Sequence, residues 1–142
     1  MTATVSYDDV AVGTEMPART FPVQRLDLIR YCGASGDFNV IHWNQRKAQA
    51  VGLPDVIAHG MFVMALAGRF VTDWAGDPGA VVDYGVRFST MLVVPDDDVG
   101  ANLEVSGVVT EKLEGRRVRV ELAARGPETK VLTQARAVVQ LA

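Results

Sequence analysis

The second half of the chain alternates between apolar and polar residues with a period of two. This period is typical of strands that have one buried face. The alternation runs through the segments 82–88, 103–109, 118–124 and 131–141. Glu114-Gly115 and Gly126-Pro127 separate the last three segments and are typical of hairpin turns. We therefore predict four strands, of which the last three pair as an antiparallel meander.

Two of these strands have apolar faces that can be named residue by residue. The first is expected to place Val82, Tyr84, Val86 and Phe88 on one face. The last is expected to bury every second residue from Val131, which are Val131, Thr133, Ala135, Ala137, Val139 and Leu141. Strict alternation of this kind predicts one regular face against a core.

The first half of the chain follows a helical period instead. Leu26, Ile29 and Cys32 recur at helical spacing, which predicts a helix over 24–35 with one apolar face. Because Cys32 is the only cysteine, it excludes an intrachain disulfide and is expected to be a small core residue.

Three further elements complete the predicted fold. Asn44 can cap a short helix that runs through Val51. The segment 61–74 is apolar or small on almost every side, which is typical of a helix that is buried all round. A further strand is expected over 15–23. The pattern as a whole predicts an α+β domain in which an antiparallel sheet covers one central helix.

Composition and charge narrow the function classes. The 142 residues are 49% hydrophobic and 22% charged with a formal charge of -3, which is typical of one folded domain over 1–142. Lysines and arginines are scattered, so no basic surface for nucleic acid is predicted. The longest apolar stretch, 60–71, is too short to cross a membrane, and the first residues have neither a cationic start nor an apolar run of signal-peptide length, so export is not expected. We therefore expect a cytoplasmic protein that binds neither nucleic acid nor membrane.

The segment GDFNVIHWN, residues 36–44, is the first candidate site. It brings together Asp37, Asn39 and His42, and an imidazole beside a carboxylate can move protons near neutral pH. The same residues are also typical of turns, in which Asp and Asn side chains bind the backbone. The local pattern leaves both interpretations open.

The segment VIAHGMF is the second candidate site, because His59 and Gly60 directly precede the apolar helix. The first N–H groups of a helix have no intrahelical acceptor, so the Gly60 N–H can bind a carbonyl oxygen and stabilise negative charge. Alternatively, Gly60 only forms a tight helix entry. A third hypothesis joins both histidines and Asp37 in a metal site, although no regular spacing connects them.

Together the two motifs resemble the MaoC-like, (R)-specific enoyl hydratase and dehydratase family. The likeness covers nearly the whole chain, including VTDWAGDPGAV and YGVRF after the central helix. Within the family it is strongest to the subunit branch of actinobacterial (3R)-hydroxyacyl-ACP dehydratases, which act in mycolic-acid elongation. The resemblance implies a hotdog fold, an antiparallel sheet wrapped around a central helix. It also implies the addition or removal of water at the C2–C3 bond of an acyl-ACP or acyl-CoA thioester.

The resemblance assigns a role to each site residue. Asp37 and His42 match the catalytic dyad of the family, and Gly60 matches the backbone oxyanion donor. Asn39 matches the supporting amide on the substrate-binding side, and His59 has a supporting position there. No metal or redox cofactor is implied.

The resemblance also implies a dimer, either with a non-identical hotdog subunit or with a second copy. The strand over 81–88 is a candidate for the sheet edge that would pair with the partner. Two departures from the family are Val40, where proline is usual, and Gly68, where many free-standing hydratases have serine. The second departure favours the dehydratase-subunit branch. A hotdog thioesterase and a non-catalytic acyl-binding subunit remain the alternatives.

Overall fold

The fold is given by a computed structural model that describes residues 3–142. Within those residues, no helix is long and apolar enough to cross a membrane. The helices are α1 (Arg25–Ser35), α2 (Gln45–Ala50) and α3 (Gly60–Ala75). The strands are β1 (Glu15–Val23), β2 (Val81–Phe88), β3 (Ala101–Leu113), β4 (Arg117–Arg125) and β5 (Lys130–Gln140).

The five strands form one antiparallel sheet in the order β1-β3-β4-β5-β2. The predicted meander of the last three strands is confirmed. At its first turn Gly115 and Arg116 have φ values of 71° and 58°, the left-handed backbone that a tight hairpin requires. β2 lies at one edge of the sheet, as expected for 81–88, and β1 lies at the other.

Helix α3 packs along the inner face of the sheet. Its buried residues recur at helical spacing and are Val63, Ala67, Phe70, Val71 and Ala75. The expectation that this helix is buried all round is wrong for the single chain, because Met61 is 57% exposed and Ala65 and Arg69 follow it on the open side. The physical reason is that one sheet covers only one side of a helix.

Of the apolar face predicted for helix α1, only Cys32 is buried. Leu26 and Ile29 are 54% and 50% exposed, whereas Leu28 and Cys32 are 0% and 1% exposed. Arg25 lies on the buried face, three residues before Leu28, and its guanidinium donates to the Val94 carbonyl at 2.6 Å and binds Asp55 at 2.7 Å. Because apolar residues occur on two faces of α1, this polar anchor decides which face turns inward.

The regular alternation is also interrupted in β2 and β5. Val82 and Phe88 are half exposed, at 50% and 51%, because β2 shifts its register against β5 twice. In β5, Leu132 is buried and Thr133 is only half-buried, and the following Gln134 has a φ of 47°. A bulge of one extra residue moves the next side chain to the other face of a strand.

Candidate active site

The loop between α1 and α2 carries the first motif and folds on its own polar side chains. Gly36 ends α1 in the left-handed conformation with a φ of 75°. The Asn39 N–H donates to Asp37 Oδ1 at 3.1 Å, and the Ile41 N–H donates to Asn39 Oδ1 at 3.3 Å. Turn chemistry is therefore present, and it leaves the second carboxylate oxygen of Asp37 free for another contact.

That second oxygen faces His42. Asp37 Oδ2 lies 3.9 Å from His42 Nε2, with the carboxylate half exposed and the imidazole buried. His42 Nδ1 lies 2.7 Å from the Ile57 carbonyl oxygen, which can only accept, so Nδ1 carries the proton. In the neutral ring the Nε2 lone pair therefore points toward the carboxylate. A gap of 3.9 Å is too long for a direct hydrogen bond and matches two groups bridged by one oxygen atom.

His59 lies behind the dyad and is only 1% exposed. Its ring stacks on His42, with ring centroids 3.8 Å apart and an interplanar angle of 22°. Its Nε2 donates to the Asp37 carbonyl oxygen at 3.1 Å, and its buried Nδ1 has no hydrogen-bond partner within residues 3–142. Burial lowers the pKa of His59, and the hydrogen bond to the Asp37 carbonyl opposes this shift without reversing it. The ring is therefore neutral near pH 7.

Cys32 closes the site from the interior side. Its Sγ lies 3.6 Å from His59 Nε2, and it is 1% exposed, which confirms the prediction of a core residue. Burial raises the pKa of the Cys32 thiol, and the Asp37 carboxylate raises it further. The sulfur therefore stays protonated and unsuited to nucleophilic attack.

Gly60 begins helix α3 beside the dyad. The His59 side chain makes no capping bond to this first turn, and the first N–H of a helix lacks an intrahelical acceptor. A Cβ atom at Gly60 would lie 3.1 Å from Phe88 Cε1, so the ring of Phe88 occupies the space of a side chain at this position. Glycine thus lets another group approach the backbone closely.

A pocket of about 370 Å³ brings His42 and Gly60 to the same wall. Most of its remaining lining is apolar and includes Val63, Phe88 and Leu92. Asp37, Asn39 and His59 do not belong to this lining. A depression of about 490 Å³ on β4 and β5 contains none of the motif residues and lies apart from His42 and Gly60.

A second depression of about 480 Å³ adjoins this pocket. The two share Thr90, Met91, Leu92 and Val131 in their walls, and the second extends to Pro54. Together they form a largely apolar groove that leads away from His42. Such a groove suits an extended, mostly apolar molecule with one polar group near the imidazole.

Asp37, His42 and His59 also bring three possible metal-ligating atoms within 4.8 Å of one another. The two rings are stacked nearly parallel, however, and the lone pair of an imidazole nitrogen lies in the plane of its ring. Such rings do not direct their nitrogens at one point about 2.0 Å from both, as a shared metal ion requires. The geometry therefore favours proton chemistry over a metal centre at this site.

Two contributions to the site were not predicted from the sequence. Trp43 Nε1 donates to the Phe38 carbonyl oxygen at 3.0 Å, which closes the loop that carries the dyad. The Ile57 carbonyl fixes the tautomer of His42. Trp43 directly follows His42 and carries an N–H donor, which could have indicated a hydrogen bond within this loop.

Comparisons with known proteins indicate one family for this chain. Residues 9–126 match the MaoC like domain. The 3-hydroxyacyl-thioester dehydratase X of Mycobacterium tuberculosis is 38% identical over 79 residues, which cover 56% of this chain and 27% of that protein. The 3-oxo-4,17-pregnadiene-20-carboxyl-CoA hydratase beta subunit of the same organism is 32% identical over 87 residues, which cover 58% of this chain and 67% of that subunit.

The length of the relatives differs widely. The chain spans only 27% of the dehydratase and 5% of another curated relative. A solved structure of a MaoC-like dehydratase superposes with a TM-score of 0.95 at 39% identity, over 99% of this chain and 43% of that chain. This similarity confirms the hotdog fold expected from the sequence.

Proposed function

Because this chain belongs to the MaoC-like dehydratase family, we propose that it is a hydro-lyase that adds water to, or removes it from, an acyl thioester. The reaction would be reversible and syn across the C2–C3 bond, between an (R)-3-hydroxyacyl and a 2-enoyl thioester. The observation that supports this most is that His42, whose Nε2 lies 3.9 Å from Asp37 Oδ2, lines the same pocket as Gly60, the first residue of α3.

In the proposed hydration, Asp37 and His42 hold one water molecule between them. The water oxygen forms the bond to C3 and gives up one proton to the dyad, and C2 receives one proton from the dyad. The C2–C3 double bond becomes a single bond, so atoms and charge balance. Dehydration follows the same steps in reverse, and the dyad then takes the C2 proton while it protonates the departing hydroxyl.

Gly60 has the second task in this mechanism. Negative charge accumulates on the thioester oxygen as C2 gains carbanion character, and the Gly60 N–H donates to that oxygen. The positive end of the α3 dipole adds to this stabilisation. Since the thioester itself acidifies the C2 proton, the reaction needs no metal or redox cofactor.

The groove beside His42 supports an acyl thioester as the substrate class. Apolar walls suit the acyl chain, and one polar end suits the thioester and its hydroxyl group. The carrier would be acyl carrier protein or coenzyme A, in fatty-acid elongation or its mycolic-acid branch. The relative named 3-hydroxyacyl-thioester dehydratase X supports this class.

We also propose that the chain acts as a dimer, with a non-identical hotdog subunit in preference to a second copy. β2 is an open edge, and the uncovered side of α3 begins at Met61, which is 57% exposed. An open edge and an uncovered apolar surface are features that pairing removes. The relative named as a hydratase beta subunit supports a partner of a different sequence.

Two variants that each keep one native hydrogen bond test the proposed function. Asp37→Asn keeps an oxygen for the Asn39 N–H, and His42→Asn keeps a donor for the Ile57 carbonyl, so both should fold. Each should lower the turnover of a crotonyl thioester about 100-fold or more, the usual effect of losing a positioned acid or base. Asp96→Asn, an exposed change of the same kind, should have no effect. Near-normal turnover by a folded dyad variant would contradict the assignment.

A further inference from the structure

His59 stands apart from the substrate pocket although its neighbours in the sequence and in space define that pocket. Its side chain is 1% exposed and does not belong to the pocket lining. It therefore has no direct path to a substrate. Any contribution to the reaction must pass through the groups that it contacts.

Those contacts reach both members of the dyad. His59 Nε2 donates to the main-chain oxygen of Asp37 at 3.1 Å, and the flat face of its ring stacks on His42 at 3.8 Å. The ring also packs against Tyr31 at a centroid distance of 4.8 Å and an interplanar angle of 60°, and the sulfur of Cys32 lies 3.6 Å from the same Nε2. These contacts hold the His59 ring in one orientation.

Packing alone does not explain an imidazole here. Its Nδ1 is buried and has no partner within residues 3–142, and burying an unpaired polar nitrogen costs free energy. An apolar ring such as phenylalanine would fill the space without that cost. What phenylalanine lacks is the N–H that binds the Asp37 carbonyl, and what a flexible amide lacks is the flat face against His42.

We propose that His59 is a positioning residue that holds both members of the dyad, the main chain of Asp37 by a hydrogen bond and the ring of His42 by stacking. The inference rests on the proposed function and adds to it the residue that fixes the 3.9 Å geometry. His59 touches no substrate and exchanges no proton in the reaction. Its neutral state, with Nε2 protonated, is the form that serves both contacts.

Two variants separate the two contacts. His59→Phe keeps an aromatic face for His42 and removes the donor to Asp37. His59→Gln keeps an N–H near the position of Nε2 and removes the aromatic face. Tyr31→Phe, which preserves the ring beside His59, is the control. We expect each His59 variant to lower kcat about 10- to 100-fold with KM changed by less than about 3-fold, because misplaced catalytic groups slow the chemical step.

A double-mutant cycle distinguishes positioning from general stability. In the Asp37→Asn background, His59→Phe should lower kcat by a much smaller factor than in the wild type. The reason is that the carboxylate that His59 positions is absent in that background. Equal losses in both backgrounds would overturn the proposal, as would wild-type kcat in His59→Phe.

Nitrogen-15 NMR of the wild-type protein gives a readout that needs neither activity nor a variant. His59 should carry its proton on Nε2, and His42 should carry its proton on Nδ1 in the neutral ring. A proton on His59 Nδ1 would overturn the proposal even if all variants failed to fold. If instead the wild type lacks activity on every thioester while the tautomers are as expected, the proposed function fails and the positioning contacts stand.

Discussion

The two histidines of the chain make the same kind of hydrogen bond to the backbone, but only one of them lines the pocket. Each donates one ring N–H to a main-chain carbonyl, His42 to Ile57 and His59 to Asp37. His42 lines the pocket, whereas the second nitrogen of His59 is buried and has no partner among residues 3–142. Two identical side chains are thus fitted for different tasks, because the local backbone fixes which nitrogen remains available.

The lowered pKa of His59 predicts a pH dependence of stability. The unfolded chain takes up a proton at this residue near its ordinary pKa of 6.5, whereas burial makes the folded ring resist protonation. Below that pH the unfolded state binds more protons, so the free energy of unfolding falls as the pH decreases. The stabilisation is complete well above 6.5 and is lost as the pH falls toward the lowered pKa of the folded state.

Urea unfolding of the wild type and His59→Gln at several pH values checks this. The wild type should lose more stability than the variant between about pH 7.5 and about pH 5.5. Parallel pH profiles for the two proteins would show that His59 protonates equally in both states.

The effects of substitutions at Gly60 and at Phe88 on kcat/KM should be coupled. A methyl group at Gly60 would meet the Phe88 ring at 3.1 Å and force it to move within the pocket. Gly60→Ala is therefore expected to lower kcat/KM about 10-fold, and Phe88→Ala in the same chain should restore much of that loss. Gly33→Ala is the matched control, since a Cβ there meets nothing within 4 Å. Additive losses in the double variant would show that the two residues act independently.

At the scale of elements, the loop 36–44 owes its shape to several short polar contacts and one indole. Trp43, next to His42, donates to the carbonyl of Phe38, next to Asp37, at 3.0 Å and so joins the two ends of the segment that carries both residues. Val40 lies at the loop position where proline is usual in the family, and valine does not fix the backbone as proline does. The indole hydrogen bond therefore contributes more to holding the loop than it would beside a proline.

Trp43→Phe should therefore loosen the loop while it keeps an aromatic ring. We expect a loss of about 1 kcal/mol in the free energy of unfolding and faster amide exchange between Asp37 and His42. Turnover should fall about 5-fold or more as the dyad moves. Trp74→Phe, in the other tryptophan, should leave loop exchange unchanged. Unaltered exchange in Trp43→Phe would mean that the other loop contacts suffice.

The elements themselves were predictable to different degrees. The meander follows from the period-two alternation, because apolar spacing along a strand reports directly on one buried face. The presence of α3 follows from its apolar composition, although its exposed side does not, and β1 lies at the expected 15–23. The inward face of α1 was predicted incorrectly, since Arg25 anchors the face of Leu28 through contacts with Val94 and Asp55, which are distant in sequence. The bulges of β2 and β5 depend on how two strands pair, and one strand alone does not contain that information.

The candidate site was predictable in its residues and less so in its geometry. The motif and the family resemblance pointed to Asp37, His42 and Gly60, and the structure brings the last two to one pocket. The stacking of His59 on His42 arises from the approach of two separate loops. No local pattern contains such a contact between residues of distant segments.

In the single chain, β2 is an open edge of the sheet and one face of α3 is exposed. If these surfaces form the proposed dimer, Val82→Lys at the β2 edge should weaken association about 10-fold or more, because a charge would be buried there. Val99→Lys is the control, since Val99 is 67% exposed in the turn before β3. Native mass spectrometry of the chain alone and co-expressed with candidate hotdog subunits measures the assembly. A fully active monomer would contradict the dimer, and an active homodimer indifferent to other subunits would exclude the preference for a non-identical partner.

An assay of the reaction itself tests whether the chain is a hydro-lyase. The purified chain, alone and with candidate hotdog subunits, would be incubated with 2-enoyl thioesters of several lengths on both carriers, and the products separated by chiral chromatography. We predict an (R)-3-hydroxyacyl product with the thioester intact, at a rate that Asp37→Asn lowers about 100-fold. Release of free thiol without a hydroxyacyl product would identify a thioesterase. The absence of hydration with every chain length, carrier and partner would show that the chain is not a hydratase or dehydratase.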